Sequence, residues 1–498
     1  MHDSEIIINT ISKIELMYPV QNWTIGDVHI WPLLRTSATV KHDMAQTKRN
    51  IPPPKTKSFF SRVKNLLTRR YNYNKVVRAD FAGQSEKYQK CDILFLNYSM
   101  YRTFYSDKGI WDVHVLPLMK KLEKQIGKIK YNILEVDVDN YNKQPRYGKS
   151  YYINYDLNMI ATEIKIKKMC HILDKLDINL PCFNEVMQII NTNNIYFAAG
   201  NTISELREQA ILVNEYVKYF EKIIRRTGAK VGITIFYYAP VGFAFNMACK
   251  NCGITTADLQ HGLNSETHSA YANWNLLNNK YYRELPDNYL CWWKETQCVI
   301  NRWSKNRGVY IGFPWAELWR TGGLLEKEYI QKINKYIIRG CDTHILYTMQ
   351  TGLEIPPSVI SAVNSSPNNW QWWFRLHPSM VGDIDDIEKN LRMRIRNKNI
   401  EIRQATYIPL YALMSIIDIN ITDYSSVYME CAMHGIPSIV FNGHNLYDSV
   451  KSTGMVQVVD AQSINLEIIA EQMKHGSNID TQKEDDCENY FRRILKYE

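Results

Sequence analysis

Short apolar runs alternate along the chain with segments whose apolar residues recur at helical spacing. Runs at 92–96 and 372–376 have the length of buried strands. The segment after Thr202 keeps apolar residues every three or four positions until Gly228, and Thr202 with Glu205 has the sequence of a capping box. Strands that alternate with amphipathic helices are typical of parallel sheets, so the pattern predicts a doubly wound α/β fold.

The stretch from Asp418 to Phe441 contains one such unit in full. A strand comes first, then a polar turn, a helix that ends at Gly435, and a second strand. The turn carries Asp423, Ser425 and Ser426. A helix presents unpaired N–H groups and the positive end of its dipole at this position, so the turn could hold an anion. The same residues are also common helix caps, and that interpretation stays open.

Other polar residues follow predicted strands in the same half of the chain. The run at 372–376 contains Arg375 and leads directly into His377-Pro378. An earlier run, at 344–349, leads into the loop Gln350-Thr351-Gly352. Ligands of open parallel sheets bind at the carboxyl ends of the strands. These positions therefore predict a nucleotide or sugar-phosphate site.

The first half has a related feature at 254–262. A predicted strand containing Asp258 runs into Gln260-His261-Gly262, which places an imidazole just past a strand end. The glycine is expected to let the backbone turn sharply. His261 is interpreted either as a structural hydrogen-bonding residue or as a catalytic group, and its polar, aromatic context favours the second.

The length of 498 residues is sufficient for two or three domains. We expect a helical and basic extension at 1–85, a Rossmann-like domain at 86–318, a second at 319–465 and closing helices at 466–498. No stretch approaches the roughly 20 continuous apolar residues of a membrane span. The N-terminus lacks the pattern of a secretory signal, and the ten cysteines are scattered, so a cytoplasmic location is expected.

The net charge of +9 is distributed unevenly. The segment 48–78 contains no acidic residue, and apolar residues at helical spacing lie opposite its basic ones. Such a helix can lie on an anionic membrane surface, although an exposed connector is equally consistent with the sequence. The candidate membrane-facing residues are Lys57, Arg62, Lys64, Arg69 and Arg70. Nucleic-acid binding is not expected, because no pattern of a nucleic-acid-binding module accompanies the charge.

Two short motifs contain residues that can bind metals, but neither motif is expected to do so. Asp137 and Asp139 form a DxD pair that could hold a divalent cation, but two aspartates at this spacing are common by chance. Cys249 and Cys252 form a CxxC without a second pair, which favours a structural role. Neither a metal nor another cofactor is therefore expected.

Taken in order, these motifs resemble the GT-B glycosyltransferases. They are QHG at 260–262, HP at 377–378, TDYSS at 422–426, Glu430 and GIP at 435–437. The resemblance covers about residues 230–441 and is to bacterial surface-polysaccharide enzymes with cytidine-activated donors. These include capsule and O-antigen Kdo transferases, polysialyltransferases and the CDP-glycerol glycerophosphotransferases of teichoic acid synthesis. It implies two Rossmann-like domains that face each other across a cleft, the first for the acceptor and the second for the donor nucleotide.

The resemblance also implies roles for individual residues. Donor phosphate and ribose would contact His377, Pro378, Ser425 and Ser426, with the neighbouring Asp423 and the loop Gln350-Thr351-Gly352 in the same site. Arg375 could assist or point to the other face of the sheet. Glu430 could accept ribose hydroxyls or form a surface ion pair. His261 is expected to act as general base or electrostatic partner because an imidazole titrates near neutral pH, with Asp258 as the alternative base or nucleophile.

The glycerophosphotransferases usually have WHG followed by TP, whereas Leu263-Asn264-Ser265 follows the histidine motif here. A CMP-activated sugar, Kdo or another ulosonic acid, is therefore favoured as donor. The expected acceptor is an oligosaccharide or glycolipid, a growing capsule or O-antigen chain of lipopolysaccharide, at the inner face of the cytoplasmic membrane. Three alternatives remain: a CDP-glycerol or CDP-ribitol phosphotransferase, a sugar-nucleotide epimerase, and a non-catalytic assembly scaffold.

Overall fold

The computed structural model describes residues 3–40, 88–106, 109–136, 148, 150–170, 175–275, 282–320, 324–441, 443, 446–476 and 485–496. The basic residues expected to face a membrane, and the Asp137–Asp139 pair, lie outside these ranges. The chain divides into two compact units. Unit 1 comprises Met1–Ile311 with Asp486–Glu498, and unit 2 comprises Gly312–Asp485.

Unit 1 is built on a sheet of seven parallel strands. The strands are β1 (Ile93–Tyr98), β2 (Tyr131–Val136), β3 (Tyr151–Tyr152), β4 (Val231–Thr234), β5 (Thr255–Leu259), β6 (Asn288–Cys291) and β7 (Gly308–Tyr310). Their spatial order is β3-β2-β1-β4-β5-β6-β7. From β1, strands β2 and β3 extend the sheet in one direction, and β4 to β7 extend it in the other.

Helices and three small antiparallel sheets surround this sheet. The helices are α1 (Asp3–Met17), α2 (Ile30–Thr36), α3 (Val115–Ile126), α4 (Asn154–Met169), α5 (Phe183–Thr192), α6 (Ile203–Thr227), α7 (Pro240–Asn251) and α8 (Lys294–Ser304). The small sheets join Thr24–Ile25 with Val28–His29 and Ile178–Asn179, Ala38–Val40 with Ile195–Phe197, and Arg102–Ser106 with Gly109–Asp112. Short 3-10 helices occur at Val20–Asn22 and Ser99–Tyr101.

Unit 2 contains a second sheet of six parallel strands. The strands are β8 (Thr343–Thr348), β9 (Trp370–Arg375), β10 (Ile400–Glu401), β11 (Ile419–Thr422), β12 (Ser438–Val440) and β13 (Val456–Val458). Their order is β10-β9-β8-β11-β12-β13. Within each unit this is the 3-2-1-4-5-6 order of the Rossmann fold, extended in unit 1 by one strand. The predicted α/β class with two Rossmann-like domains is therefore confirmed.

The first two helices of unit 2 precede its strands, and the others lie between or after them. They are α9 (Pro314–Arg320), α10 (Leu324–Asn334), α11 (Pro357–Ser365), α12 (Ile384–Arg394), α13 (Arg403–Tyr407), α14 (Leu410–Leu413), α15 (Val427–Met433), α16 (Asp448–Ser452) and α17 (Leu466–Met473), with a 3-10 helix at Pro378–Asp383. A final helix, α18 (Cys487–Leu495), belongs to unit 1.

Both faces of the unit 1 sheet are buried, as parallel sheets require. Ile93 and Phe95 of β1 belong to one apolar cluster, whereas Leu94 and Leu96 belong to the cluster on the other face. Helices α3 and α18 cover the first face. The buried residues of α18 are Cys487, Tyr490, Phe491 and Leu495, the spacing of one helical stripe.

The described part of the N-terminal segment packs within unit 1, and the second unit begins at Gly312 rather than after 318. A buried ion pair between Arg35 and Glu15, 2.8 Å long, connects α2 to α1. Arg35 also donates to the carbonyls of Ser269 and Ala272. These bonds join the N-terminal helices to the loop that follows β5.

Local sequence signals account for several element ends. The capping box of Thr202 and Glu205 is present at the start of α6, and Gly228 ends that helix at a φ of 63°. Gly435 follows α15 at a φ of 72°. Helix α3 begins at Val115, because Gly109–Asp112 is a strand and the Asp112 carboxylate accepts from the N–H groups of His114 and Val115.

Gly242 packs against the turn between β4 and α7. A Cβ atom at this position would lie 2.7 Å from the carbonyl carbon of Tyr237, with the carbonyl oxygen closer still. Gly262 has open space around its corresponding position. The backbone of α7 can therefore approach the turn only because residue 242 has no side chain.

We predict that Gly242→Ala lowers the free energy of unfolding by about 1–3 kcal/mol through overpacking, although alanine normally favours helix. Urea denaturation measures this change. Gly262→Ala is the matched control and should change stability by less than about 0.5 kcal/mol. Equal stability of the two variants would contradict the close contact.

Candidate functional site

The strand order of each sheet reverses at one point, between β1 and β4 in unit 1 and between β8 and β11 in unit 2. In sheets of this order, the loops diverge at the carboxyl ends of these strands and leave a crevice that binds ligands. In unit 2, Thr348 at the end of β8 pairs with Arg375 on one side and with Thr422 on the other. The loops after β8, β9 and β11 therefore start at the same level of the sheet.

These three loops carry most of the residues predicted for the donor site. The loop after β8 contains Gln350, Thr351 and Gly352, the last at a φ of 76° that favours glycine. The loop after β9 contains His377 and Pro378, and the loop after β11 contains Asp423, Ser425 and Ser426. The structure thus brings these segments together at one edge, as the strand-end argument predicted.

His377 is held in a small network of hydroxyl groups. Its Nδ1 lies 3.0 Å from the hydroxyl of Thr351 and 2.8 Å from that of Ser379, and the two hydroxyls are 2.7 Å apart. The Ser379 backbone N–H also donates to Nδ1. The neutral ring therefore carries its proton on Nε2, and partial burial lowers its pKa. The sequence analysis missed Ser379, whose role depends on the local turn.

The serine pair lies at the start of α15. The hydroxyl of Ser425 accepts a 3.4 Å bond from the N–H of Val427, whereas Ser426 occupies the cap position without a capping bond from its side chain. Asp423, Ser425 and Ser426 are half-buried, and burial raises the pKa of Asp423. The hydroxyl of Ser425 therefore accepts a bond from a backbone N–H at the start of the helix, whereas the hydroxyl of Ser426 makes no capping bond.

Arg375 is bonded to the backbone. Its Nη1 donates to the carbonyls of Ala405 and Ile408, both at 2.6 Å, and burial lowers its pKa to about 10. Its guanidinium thus anchors the end of α13. Glu430 accepts a 2.6 Å bond from the hydroxyl of Tyr411. Burial raises the pKa of Glu430 to about 7, and Arg375 opposes the rise. Glu430 thus faces Tyr411 rather than forming the surface ion pair considered above.

Asp258 lies at the corresponding edge of unit 1 and is buried. One carboxylate oxygen accepts from the Thr234 hydroxyl at 2.8 Å and from the Tyr237 N–H at 3.1 Å, and the other accepts from the Tyr271 hydroxyl at 2.7 Å. Burial raises its pKa to about 7, against the effect of these bonds. The carboxylate joins the end of β4 to the loop after β5.

The neighbouring Gln260 fixes the start of that loop. Its side chain accepts from the Trp292 N–H at 2.7 Å and donates to the Gly262 carbonyl and to Thr296. Gly262, which was expected to let the backbone turn sharply, does not have a positive φ. The Gln260 side chain, rather than the conformational freedom of glycine, shapes the turn.

His261 is half-buried among aromatic rings. Its Nε2 lies 3.3 Å from the Tyr238 hydroxyl, and its buried Nδ1 has no partner of normal hydrogen-bond geometry among the described residues. Burial lowers the pKa to about 3, with His114 and His268 adding to the effect and the Leu259 carbonyl opposing it. The expectation that this imidazole titrates near neutral pH is therefore corrected: it is a neutral base throughout the physiological range.

The rings around His261 come from the ends of β1 and β4. Ring centroids of Tyr101 and Phe236 lie 5.5 Å from the imidazole, and that of Tyr238 lies at 5.9 Å. Phe236 has a φ of 77°, an unfavourable conformation for a residue with a side chain. Such strain is concentrated at functional sites. The sequence analysis missed these residues, although aromatic residues directly after two strands were a usable signal.

No protein-family model matches the chain, and a search of curated proteins finds no match. Among solved structures, the chain is similar to the UDP-GlcNAc 2-epimerase from Neisseria meningitidis bound to UDP-GlcNAc, at 13% identity over 82% of this chain and 100% of that one, with a TM-score of 0.49. It is similar to the UDP-GlcNAc 2-epimerase from Methanocaldococcus jannaschii at 12% identity over 82% of this chain and 99% of that one, with a TM-score of 0.48. It is also similar to the wall teichoic acid polymerase TagF, at 12% identity over 87% of this chain and 95% of that one, with a TM-score of 0.43. No activity is transferred from these structures to this chain.

Two features are absent from the described residues. None of their helices has both the length and the apolar character needed to cross a bilayer. No group of three or more His, Cys, Asp or Glu side chains is arranged there to hold a metal. Cys249 is buried in α7 against Gly232 of β4, as expected for a structural cysteine.

We predict that Asp258 makes unit 1 less stable as the pH rises from about 4 to about 7. The folded protein retains the Asp258 proton in this window because the pKa is raised, whereas the unfolded chain releases it. The contribution is therefore complete at low pH and is lost towards neutral pH, at up to about 1.4 kcal/mol per pH unit.

Urea denaturation of the wild type and Asp258→Asn at several pH values isolates this group, since other carboxylates and histidines titrate in both proteins. The difference between the two unfolding free energies should change across the window. Glu467→Gln, at an exposed position of α17 in unit 2, serves as the control for a carboxylate outside unit 1. Parallel curves for the wild type and Asp258→Asn would contradict the raised pKa.

Proposed function

We propose that the chain is a glycosyltransferase that moves a sugar, Kdo or another ulosonic acid, from a CMP-activated donor onto a growing bacterial capsule or O-antigen chain. The observation that carries the proposal is the network of His377, Thr351 and Ser379, which lies at the same sheet edge as the loop of Ser425 and Ser426. The choice of cytidine and of an ulosonic acid rests on the sequence resemblance.

The residues of unit 2 suit the departure of a nucleotide phosphate. As the glycosidic bond breaks, its electron pair passes to the phosphate oxygen and negative charge develops there. Donors positioned before the reaction stabilise such charge effectively. The Nε2–H of His377 and the hydroxyls of Thr351, Ser379 and Ser426 can supply these donors. Glu430 would accept a ribose hydroxyl in exchange for its bond from Tyr411.

In unit 1 we assign the proton acceptor to His261. The imidazole is a weak base in the free protein because burial lowers its pKa. It can take the proton of an acceptor hydroxyl as that oxygen bonds to the anomeric carbon, because the hydroxyl becomes strongly acidic at that stage. Asp258 serves as a positioning residue, because both its oxygens are already bonded and its bonds fix Tyr271 and the turn at Tyr237.

A CDP-alditol phosphotransferase could use the same groups, and an epimerase would act on its nucleotide sugar without an acceptor. Incubation of the purified protein with CMP-Kdo or with CDP-glycerol, each with and without membrane extract as acceptor source, separates these functions. Acceptor-dependent release of CMP from CMP-Kdo supports the proposal. Exclusive consumption of CDP-glycerol would indicate the phosphotransferase instead. Acceptor-independent conversion of a nucleotide sugar would indicate the epimerase.

We predict that His377→Ala weakens CMP binding at least tenfold, since a hydrogen bond to a charged group contributes about 1.5–3 kcal/mol. His261→Ala should lower kcat by about 10²–10⁴-fold through loss of the general base, with less than threefold change in CMP affinity. Isothermal titration with CMP and a CMP-release assay measure the two effects.

The exposed His475, after α17, provides the control, because its imidazole lies near Gly454, before the start of β13, and not in the loops after β8, β9 and β11. It should behave as the wild type in both assays. A CMP affinity of His377→Ala equal to that of the control would refute the assignment of the nucleotide site.

We further propose that the basic segment 48–78 binds the anionic inner surface of the membrane, where a lipid-linked acceptor is made. Each basic residue near such a surface contributes about 1 kcal/mol. Co-sedimentation with phosphatidylserine vesicles should therefore fall as salt is raised, and replacement of Lys57, Arg62, Lys64, Arg69 and Arg70 by Gln should abolish it. Phosphatidylcholine vesicles are the control. Binding that is insensitive to salt and lipid charge would exclude this attachment.

A further inference from the structure

Three segments of unit 1 meet where strands β1, β2 and β4 of its sheet begin, at the end opposite to the proposed site. The segments are 88–92, 123–130 and 221–230. The N–H of Asp92 donates to the carbonyl of Lys130 at 2.8 Å, and the N–H of Lys230 donates to the carbonyl of Asp92 at 2.9 Å. A Cβ atom at Gly228 would lie 3.6 Å from the Nζ of Lys90. The three segments therefore form one continuous surface, which we call the amino edge.

The amino edge is strongly basic. Its three segments contain the acidic residues Asp92, Glu123 and Glu221. Asp92 pairs with Lys230 at 3.1 Å, and Glu221 pairs with Arg225 at 3.0 Å. The same segments contain eight basic residues, all of them exposed: Lys90, Lys124, Lys128, Lys130, Lys222, Arg225, Arg226 and Lys230. Most of these positive charges therefore exceed what the acidic residues of the segments can neutralise.

Helix stability accounts for only part of this pattern. A cation in the last turn of a helix is stabilised by the helix dipole. Lys124 occupies such a turn in α3, and Arg225 and Arg226 occupy the last turn of α6. Lys90 and Lys130 instead lie in connections that lead into strands. The presence of all these charges on one surface therefore calls for an anionic partner.

The chain that leads into the amino edge indicates which partner this is. Tyr88 is the first described residue after 41–87, and these residues include the basic segment 48–78. That segment has no acidic residue and has apolar residues at helical spacing, a sequence typical of attachment to an anionic membrane surface. The nine residues between it and Tyr88 span at most about 30 Å. A bilayer that holds the segment is therefore within reach of the amino edge.

We infer that the amino edge of unit 1 is a docking surface for an anionic lipid bilayer, with its exposed lysines and arginines directed at the lipid phosphates. The inference goes beyond attachment through the segment 48–78, because a folded surface fixes the orientation of the unit. The strands of the sheet run from the amino edge to the carboxyl edge that carries His261. Since β1 has six residues, the two edges are about 20 Å apart. His261 therefore faces away from the bilayer.

This orientation also defines the acceptor more closely, a consequence that rests on the proposed function. A hydroxyl that reacts beside His261 must lie about 20 Å or more from the lipid headgroups. The first sugar on a lipid carrier does not extend so far, whereas the free end of a longer chain does. The acceptor class is therefore a membrane-anchored polymer that grows at its free end.

Acetylation of lysines tests the docking surface in the whole chain and without an assay of activity. The protein is acetylated with vesicles that contain phosphatidylserine, with vesicles of phosphatidylcholine alone and without vesicles, and each lysine is followed by mass spectrometry. Anionic vesicles should slow the acetylation of Lys90, Lys128 and Lys130 at least threefold, and salt at about 1 M should remove the protection. The exposed Lys13 and Lys165 should react as they do without vesicles. Unprotected lysines at the amino edge, or equal protection of both sets, would overturn the inference.

Two triple variants separate the amino edge from net charge. The edge variant replaces Lys90, Lys128 and Lys130 by Gln. The control variant removes the same charge from exposed positions elsewhere in unit 1, through replacement of Lys13, Lys165 and Lys175 by Gln. Both variants keep the segment 48–78. The edge variant should bind phosphatidylserine vesicles at least tenfold more weakly in co-sedimentation, and the control variant less than threefold more weakly. Equal affinities of the two variants would refute the docking surface.

A single-stranded oligonucleotide at the same phosphate concentration distinguishes a membrane from a nucleic acid. Protection of the edge lysines by the oligonucleotide, without protection by anionic vesicles, would overturn the bilayer as partner. Acceptance of a sugar by a lipid-linked monosaccharide as fast as by a long chain, in the same vesicles, would overturn the orientation.

Binding of CMP without vesicles separates this inference from the proposed function. The edge variant should bind CMP as the wild type does. A wild-type protein that is protected by anionic vesicles but does not bind CMP supports the docking surface and refutes the nucleotide proposal. One that binds CMP but leaves the edge lysines unprotected refutes the docking surface alone.

Discussion

Parallel pairing is the constraint on which the organisation of both units depends. Because every strand of the seven-stranded and six-stranded sheets runs in the same direction as its neighbours, all the carboxyl ends of a sheet lie at one edge. Residues far apart in sequence, such as Thr351, His377 and Ser425, therefore lie at the same edge of the sheet. The chain needs no long insertions to assemble these groups, since each lies only two or three residues past the end of its strand.

The polar groups at the carboxyl edges of the two sheets differ in how deeply they are buried. In unit 1 the carboxylates of Asp112, Glu135 and Asp258 are buried, and each is bonded to a specific donor from a neighbouring element. Such networks contribute to a unique arrangement, because loss of one partner leaves a buried charge uncompensated. In unit 2 the hydroxyls of Thr351 and Ser379 and the imidazole of His377 are nearer to solvent. The carboxylates of the first edge are therefore more deeply buried than these groups of the second.

The fold was predictable because it depends on patterns of short range. Alternating strands and helices, the Thr202 capping box and the glycines at 228 and 435 are local signals, and each appears in the structure. The position of His377 also followed from its strand. The low pKa of His261, the bonds of Asp258 and the backbone role of Arg375 could not be predicted, because each depends on side chains from distant parts of the chain. Asp258 is an example: its partners Thr234 and Tyr271 lie on opposite sides of it in the sequence.

The final helix has a consequence for the order in which the protein folds. Residues 487–495 cover one face of the first sheet, after the chain has passed through all of unit 2. During synthesis the ribosome must therefore release nearly the whole polypeptide before the first-made unit acquires its complete core. Until then that face of the sheet lacks the part of its cover that α18 supplies, and the apolar residues beneath α18 remain exposed.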